Sequence, residues 1–325
     1  MTCQLYGIGN ALVDSEYLVS EAVLDQSGFT KGTMTLVDAD ERSSLITLLE
    51  DTAGISLSQL AGGGSAANTI VTAALLGTET FYSCKVASDR TGDFFVDDLI
   101  GLGIQTSMSG QRPDGVTGEC ISMITPDGER TLVTHLGING SMSSSEIDAK
   151  ALSAAQFLYI EGYLVSSEAA FEAVLEAQRI AVDNQVAVSL TLSDVGMVEN
   201  FRTQFDELVS HGVDFIFCNE EEAKLWTQTD SRLDAANALA KQSGRFAMTL
   251  SGDGAYVSGD DGQPYFVPAD KVQALDTTGA GDTFAGAVLS GLIAGESLSN
   301  ATVRAHELAR TVVSRFGARL SSGEM

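Results

Sequence analysis

Histidine is scarce, with three residues in 325, and so is positive charge: 18 lysines and arginines stand against 44 aspartates and glutamates. The formal net charge of −26 repels nucleic-acid backbones and anionic membranes, which sets both aside as partners. The acids are scattered and form no tail, so the acidity reads as solubility, in keeping with a salty cytosol. The four cysteines, Cys3, Cys84, Cys120 and Cys218, lie far apart with no CxxC, which argues against a zinc site and against a disulfide framework. Reduced thiols in a cytoplasm are the expectation. No basic segment followed by an apolar run opens the chain, where Asp14 interrupts early, so no signal peptide is expected. No apolar stretch is long enough to span a membrane. There is no GxxxxGK[ST] and no GxGxxG after the first strand, only "GIGNAL", which disfavours a P-loop enzyme and a dinucleotide-binding dehydrogenase.

What is present is a sizeable apolar fraction, 44%, enough for a large core. "LYGIG" (5–9) reads as a first strand, "AGGGSAANTIVTAALLG" (61–77) as a glycine turn feeding an apolar helix, and 80–88 as a strand before a helix at 89–103. From about 157 the alternation becomes regular: strand "QFLYIEGYL", helix 167–184, strand "VAVSLTLS", a helix around 199–210, strand "VDFIFCN" and a helix from 219. "FAMTLSGDGAYV" reads as one strand, and helices follow from about 281 and 298. Strands alternating with helices imply a mainly parallel sheet covered on both faces, a three-layer α/β/α body. Residues 112–138 break this rhythm with two extended runs joined by "PDGE", a β-hairpin signal. With "KGTMTLVD" (31–38) and the segment after Asn10, they predict a small β-sheet standing off the body as a lid. The lid segments are taken as about 11–20, 31–38 and 110–138, inserted in a single domain over 1–325.

The stretch "DTTGAGDTFAGAVLSGL" (276–292) sets two glycines and an alanine against an aspartate and then opens an apolar helix. Backbone N–H groups at such a turn converge on an anion, and the helix dipole adds positive potential. Asp282 is a poor phosphate ligand there. It makes sense as a general base that takes a proton from an incoming hydroxyl while the N–H groups stabilise charge on a transferring phosphoryl group. The bland alternative is an acid in the first turn of a helix beside a tight turn.

This stretch resembles the C-terminal signature of the ribokinase/PfkB family of carbohydrate and nucleoside kinases, and "GGGSAANTIVTAALLG" resembles its N-terminal signature. Their order and separation, with the strand–lid–strand layout, fit that family from Gly7 to Ala318. The resemblance implies a ribokinase-like fold and a phosphotransferase using ATP and Mg²⁺. It makes Asp282 the catalytic base and Gly279, Ala280 and Gly281 the anion hole. Asn219 and Glu222 in "NEEEA" match the NxxE motif that organises Mg²⁺, mostly through water, and Asn219 also suits a helix N-cap. Asp14 matches the sugar-gripping aspartate, with Gly63, Gly64 and Asn68 as further contacts and Asn10 in the same turn as Asp14. Arg130 in "GERTL" resembles a lid arginine that meets the phosphates; a solvated hairpin charge is the alternative. "TLSGDGAYV" places Thr249, Ser251, Gly252 and Gly254 at the nucleotide. His306 matches a histidine of the helix that covers adenine; a plain surface histidine is the alternative. Asp276 and Thr278 match positions that hold a potassium ion in some relatives.

Several strings, "GIGNALVD", "KGTMTLVD", "YIEGYL" and "LTLSD", resemble the bacterial adenosine-kinase-like branch. A nucleobase needs a flat apolar slot, for which Met34, Met123, Leu136 and Tyr163 are candidates beside ordinary packing. Adenosine is the first choice of acceptor, and a free sugar such as ribose or fructose the second. A silent ligand-binding relative is a further alternative, against which the intact Asp282, anion turn and NxxE all argue. Monomer and homodimer are both open.

Overall fold

A computed structural model describes residues 3–259, 261–321, 323 and 324. In chain order the strands begin with β1 (Leu5–Ile8), β2 (Leu12–Leu18), β3 (Met34–Leu36), β4 (Gln59–Gly63), β5 (Thr80–Ser83), β6 (Gly118–Ile124) and β7 (Arg130–His135). They continue with β8 (Phe157–Ile160), β9 (Ala187–Thr191), β10 (Phe215–Asn219), β11 (Arg245–Thr249), β12 (Gly254–Ser258) and β13 (Pro264–Pro268).

The larger sheet runs β13-β12-β11-β10-β9-β8-β1-β5. Its pairings from β5 to β11 are parallel, and β12 and β13 add an antiparallel edge. Strands β1, β5 and β8 are buried along their whole length, as strands covered on both faces must be. One apolar core lies under the helices Ser65–Leu75, Arg90–Gly101, Ala280–Ile293 and Leu298–Val313; a second lies under Glu168–Asp183, Arg202–Ser210 and Arg232–Gln242. The ribokinase-like α/β architecture expected from the sequence is therefore present.

The smaller sheet runs β3-β7-β6-β2-β4. The residues Tyr17, Val19, Ile121, Met123 and Val133 on one face pack with Leu24, Leu45 and Leu49, which the helices at Glu21–Ser27 and Ala39–Ile46 and the turn after them supply. The alternating residues Asp14, Glu16, Cys120, Ser122 and Leu132 lie on the opposite face.

Four local expectations need correction. The 246–257 run is two strands, because the chain turns at Ser251–Asp253 and Leu250 N–H closes back on the Gly254 carbonyl. "QLAGG" before the expected helix is itself strand β4, paired with β2, so the smaller sheet has a segment beyond those expected. The helix Arg232–Gln242 and strand β13 were not read from the sequence. Met123 pairs with Tyr17 and is fully buried among the apolar residues of the sheet's helix-covered face, so it does not line a slot on the other face.

Two helices decide where the site forms. Ser65–Leu75 and Ala280–Ile293 are apolar nearly all round and cross inside the core. They touch at Gly286, where an added Cβ would collide with the Thr69 carbonyl. One turn earlier on each helix stand Asp282 and Ser65, which the close crossing brings together.

Candidate active site

The site lies where the parallel strands end, the usual position for a ligand in an open α/β sheet. The loop after β1 carries Asn10, the end of β8 Glu161, the end of β10 Asn219, and the turn after β11 Ser251. A cleft of about 500 Å³ opens there, lined by Asn219, Glu222, Thr249, Ser251, Gly252, Gly254, Ala280, Gly281, Asp282 and His306. Nearly all residues expected on the nucleotide side thus share one cavity. Phe284 packs beside His306, with ring centroids 5.3 Å apart, and burial lowers the imidazole below its ordinary value, which keeps it neutral.

Asp282 stands at the inner end of this cleft. Its carboxylate accepts from Ser65 Oγ at 2.7 Å and from Asn68 Nδ2 at 3.0 Å. Burial pushes it up to about 6, against the lowering effect of Asn68, Ser65 and the Arg319 charge. The helix behind it starts with Gly279 in the left-handed region, φ 76°, where an added side chain would collide with the Ala318 carbonyl. Thr283 N–H reaches the Gly279 carbonyl, whereas the N–H groups of Gly281 and Asp282 find no partner among the described residues. An added Cβ at Gly281 would meet nothing within 4 Å. Glycine there serves neither a turn nor packing; it keeps open space beside two free N–H groups. Such an arrangement can receive an anion.

Asp276 braces this turn. Its oxygens accept from Thr278 N–H at 2.9 Å and Gly317 N–H at 3.0 Å, which tie the turn to the C-terminal segment and help hold the carboxyl below its ordinary value.

On the other side of Asp282 lies the face of the smaller sheet. The Asp14 carboxylate accepts no hydrogen bond from the described residues, and burial pushes it up to about 6. An added Cβ at Gly63 would fall 2.7 Å from its Oδ2, so glycine is what lets this carboxylate lie against the backbone. Gly64, φ 96°, would likewise collide with the Asn10 carbonyl. Arg130 pairs with Glu16 at 2.8 Å and stacks its guanidinium over Phe316, 5.6 Å from the ring centroid. Met34 and Leu136 are exposed on the same sheet and the loop after it. Tyr163 is partly buried just beyond Glu161, and burial pushes its phenol up.

Asn219 caps the helix Glu220–Thr227 in a capping box: its Oδ1 accepts from Glu222 N–H at 2.9 Å, and Glu222 Oε2 accepts from Asn219 N–H at 3.0 Å. Both residues also line the cleft, so the capping role and a ligand role coexist. Among the described residues no three His, Cys, Asp or Glu side chains cluster to hold a metal ion. Asn219 and Glu222 fit an Mg²⁺ that keeps most of its waters and is carried on phosphates, not one caged by protein ligands.

Three site residues were not read from the sequence. Ser65 directly follows the glycine run, and its position as the first residue of a helix was signal enough. Glu161 ends the apolar strand run and is 1% exposed; its Oε2 accepts from Ala66 N–H at 2.8 Å and its Oε1 from Asn10 Nδ2 at 2.7 Å. It fixes the first loop to the start of the Ser65–Leu75 helix through these bonds. Arg319 comes from the C-terminal segment, where no motif marks it.

The profile of the "pfkB family carbohydrate kinase" matches residues 35–324. A probable sugar kinase from Rhizobium etli superposes with a TM-score of 0.85 at 33% identity, covering 98% of this chain and 96% of that one. The adenosine kinase of Sinorhizobium meliloti gives 0.85 at 32% identity over the same shares. Among curated proteins, the ribokinase of Staphylococcus aureus is 29% identical over 80% of this chain and 84% of its own length. With that match over most of its length, the chain belongs to the pfkB family of carbohydrate kinases, phosphotransferases that act on hydroxyl groups.

Proposed function

We propose that this chain is a nucleoside kinase that transfers the γ-phosphoryl group of ATP to the 5′-hydroxyl of adenosine, giving AMP and ADP, with Asp282 as general base. The observation that carries this reading is the placement of Asp282. It sits between a cleft floored by free N–H groups and an acceptor face where the Asp14 carboxylate has no hydrogen-bond donor among the described residues.

The residues divide the work. Thr249, Ser251, Gly252, Gly254 and His306 line the region for the nucleotide. The Gly279–Gly281 turn receives the γ-phosphate, and its N–H groups stabilise charge on the equatorial oxygens. Mg²⁺, when bound, neutralises phosphate charge, and Asn219 and Glu222 would hold its waters. Asp276, ionised and beside the turn, is the carboxylate a potassium ion would use. Asp14 accepts from the ribose hydroxyls. The 5′-oxygen attacks the γ-phosphorus, the bond to the β,γ-bridging oxygen breaks, and the hydroxyl proton passes to Asp282. The smaller sheet acts as the lid: the apolar Met34 and Leu136 sit on the side from which a purine would be covered, and closure excludes water. Arg130, held between Glu16 and Phe316, is the lid residue that would meet phosphate oxygens on closure.

A free sugar is the second reading, supported by the relatives named sugar kinase and ribokinase. The test is ATP consumption with products identified by mass across adenosine, inosine, guanosine, ribose and fructose, beside Asp282→Asn. Conversion of adenosine to AMP, with a loss in the variant of about 10²–10⁴-fold, is the expected result. Phosphorylation of sugars alone would overturn the acceptor and leave the base. An active Asp282→Asn would overturn the base.

A further inference from the structure

Arg319 lies near the end of the chain, outside every motif, yet its guanidinium reaches the centre of the site. Nε donates to Asn68 Oδ1 at 2.8 Å, Nη1 to Asp98 Oδ2 at 2.6 Å and Nη2 to the Gly63 carbonyl at 3.5 Å. The side chain is 13% exposed. It occupies the opposite face of β4 from Asp14: a side chain added at Gly62 would collide with Arg319 and Asp98, whereas one at Gly63 would meet Asp14. Asn68 is itself buried and turns its other amide atom to Asp282.

An asparagine can offer a carboxylate either its NH₂ or its oxygen. The first is a hydrogen bond and the second a repulsion. Which atom Asp282 meets depends on what lies on the far side of the amide. Arginine carries N–H donors and no acceptor, so the Asn68 atom facing it must be oxygen. The NH₂ then faces Asp282. Asp98, on the helix Arg90–Gly101, holds the guanidinium in place through a charge-assisted bond.

We propose that Arg319 is a positioning residue for phosphoryl transfer: anchored by Asp98, it locks the Asn68 amide in the one orientation that donates to the Asp282 carboxylate. This rests on the reading of Asp282 as general base. The line Asp98–Arg319–Asn68–Asp282 joins four remote parts of the chain. Without the guanidinium the amide is free to turn over, and Asp282 loses a donor and a nearby positive charge together. Its carboxylate then ionises less readily, so the proton acceptor is present in a smaller fraction of molecules at neutral pH.

The experiment compares wild type, Arg319→Met, Asn68→Ala, the double variant and Asp282→Asn, each first shown to be folded by its thermal transition. Arg319→Met is expected to lower kcat at pH 7 by about tenfold or more and to move the acid limb of the rate profile to higher pH. In the Asn68→Ala background the same change should cost clearly less, because the amide through which it acts is gone and only the direct effect of its charge remains. A scaffold role would give the same loss in both backgrounds. Equal losses, or an unmoved acid limb beside an inactive Asp282→Asn, would overturn the proposal. If Asp282→Asn is active, the base reading falls, and the lock is tested without substrate. The Asp282 carboxyl is followed by ¹³C NMR in aspartate-labelled protein, its signal assigned by its loss in Asp282→Asn. A midpoint that rises in Arg319→Met supports the lock, and an unmoved one overturns it. Should Arg319→Met not fold, Asp98→Asn releases the guanidinium while keeping it, and the same shift in smaller measure is expected.

Discussion

Replacing Glu161 by glutamine should make the ligand-free protein more stable at pH 8, although it removes a buried, hydrogen-bonded carboxylate. Burial raises Glu161 from its ordinary 4.5 to about 7, even though Ala66 N–H and Asn10 donate to it. The unfolded chain releases this proton near 4.5, and the folded chain holds it to about 7. Across that window the folded state carries the extra proton, so stability falls as pH rises and levels off above 7. A separation of that size corresponds to roughly 3 kcal/mol, undiscounted because the side chain is 1% exposed. Glutamine escapes this cost but cannot accept from all the donors that face the carboxylate. Its NH₂ must face one of them, a loss of about 1 kcal/mol. The net expectation at pH 8 is a gain of about 2 kcal/mol, or about 3 °C in the midpoint of a chain this long. At pH 4.5 glutamine and the protonated acid are near-isosteres, and the gain should vanish. The assay is urea unfolding of both proteins at the two pH values. The charge repulsion of a chain at −26 is nearly common to both and largely cancels in the difference. A variant less stable than wild type at pH 8, or a difference that does not change with pH, would refute the reasoning. The three donors would then outweigh the desolvation.

Two further expectations concern packing. Gly286→Ala places a methyl group against the Thr69 carbonyl; overpacking of this kind costs about 1–3 kcal/mol, and parting the helices should separate Asp282 from Ser65. Both thermal stability and kcat should fall, and a variant that loses stability with full kcat would uncouple the crossing from the site. Met123→Ala should cost about 2–5 kcal/mol while leaving the acceptor KM unchanged, because the side chain packs on the far face of its sheet. Met34→Ala should do the reverse, with little loss of stability and a raised KM. Melting curves and acceptor titrations decide both.

The body of the fold was legible because its signals are redundant. The helix Glu168–Asp183 carries an apolar face of helical period, and strand β8 is an unbroken apolar run. The smaller sheet was legible at the "PDGE" hairpin and in the extended runs after Asn10 and at 31–38, which hold β2 and β3. Strand β4 was not, because "QLAGG" has poor strand propensity. Its glycines answer to tertiary neighbours: Gly62 makes room for Arg319 and Asp98, and Gly63 for Asp14. Sequence periodicity carries no trace of such contacts. The same logic explains Met123, whose apolar character fits either face; only the register with Tyr17 assigns it.

Motifs located the residues proposed to bear the chemistry more readily than those that hold them. Asp282, Asp14 and Asn219 are carboxylates and an amide that their motifs single out; Ser65 and Glu161 stand in quoted strings without being singled out, and Arg319 lies outside all of them. The distinction has an electrostatic basis. Asp14, Glu161, Glu222 and Asp282 are all buried enough to rise to about 6 or 7, in a protein with more than twice as many acids as bases. A cluster of this kind tends to protonate, and on the proposed reading a protonated Asp282 could not take the hydroxyl proton. Ionisation at neutral pH therefore depends on donors and cations aimed individually at each carboxylate: Ser65 and Asn68 at Asp282, Ala66 N–H and Asn10 at Glu161, and the Arg319 charge beside both Asp14 and Asp282. Asp14 alone has no side-chain donor among the described residues, so on the proposed reading the bonds that favour its charged form come from the acceptor's hydroxyls. Acceptor binding and ionisation of Asp14 are then linked, and acceptor affinity should weaken as pH falls below about 6.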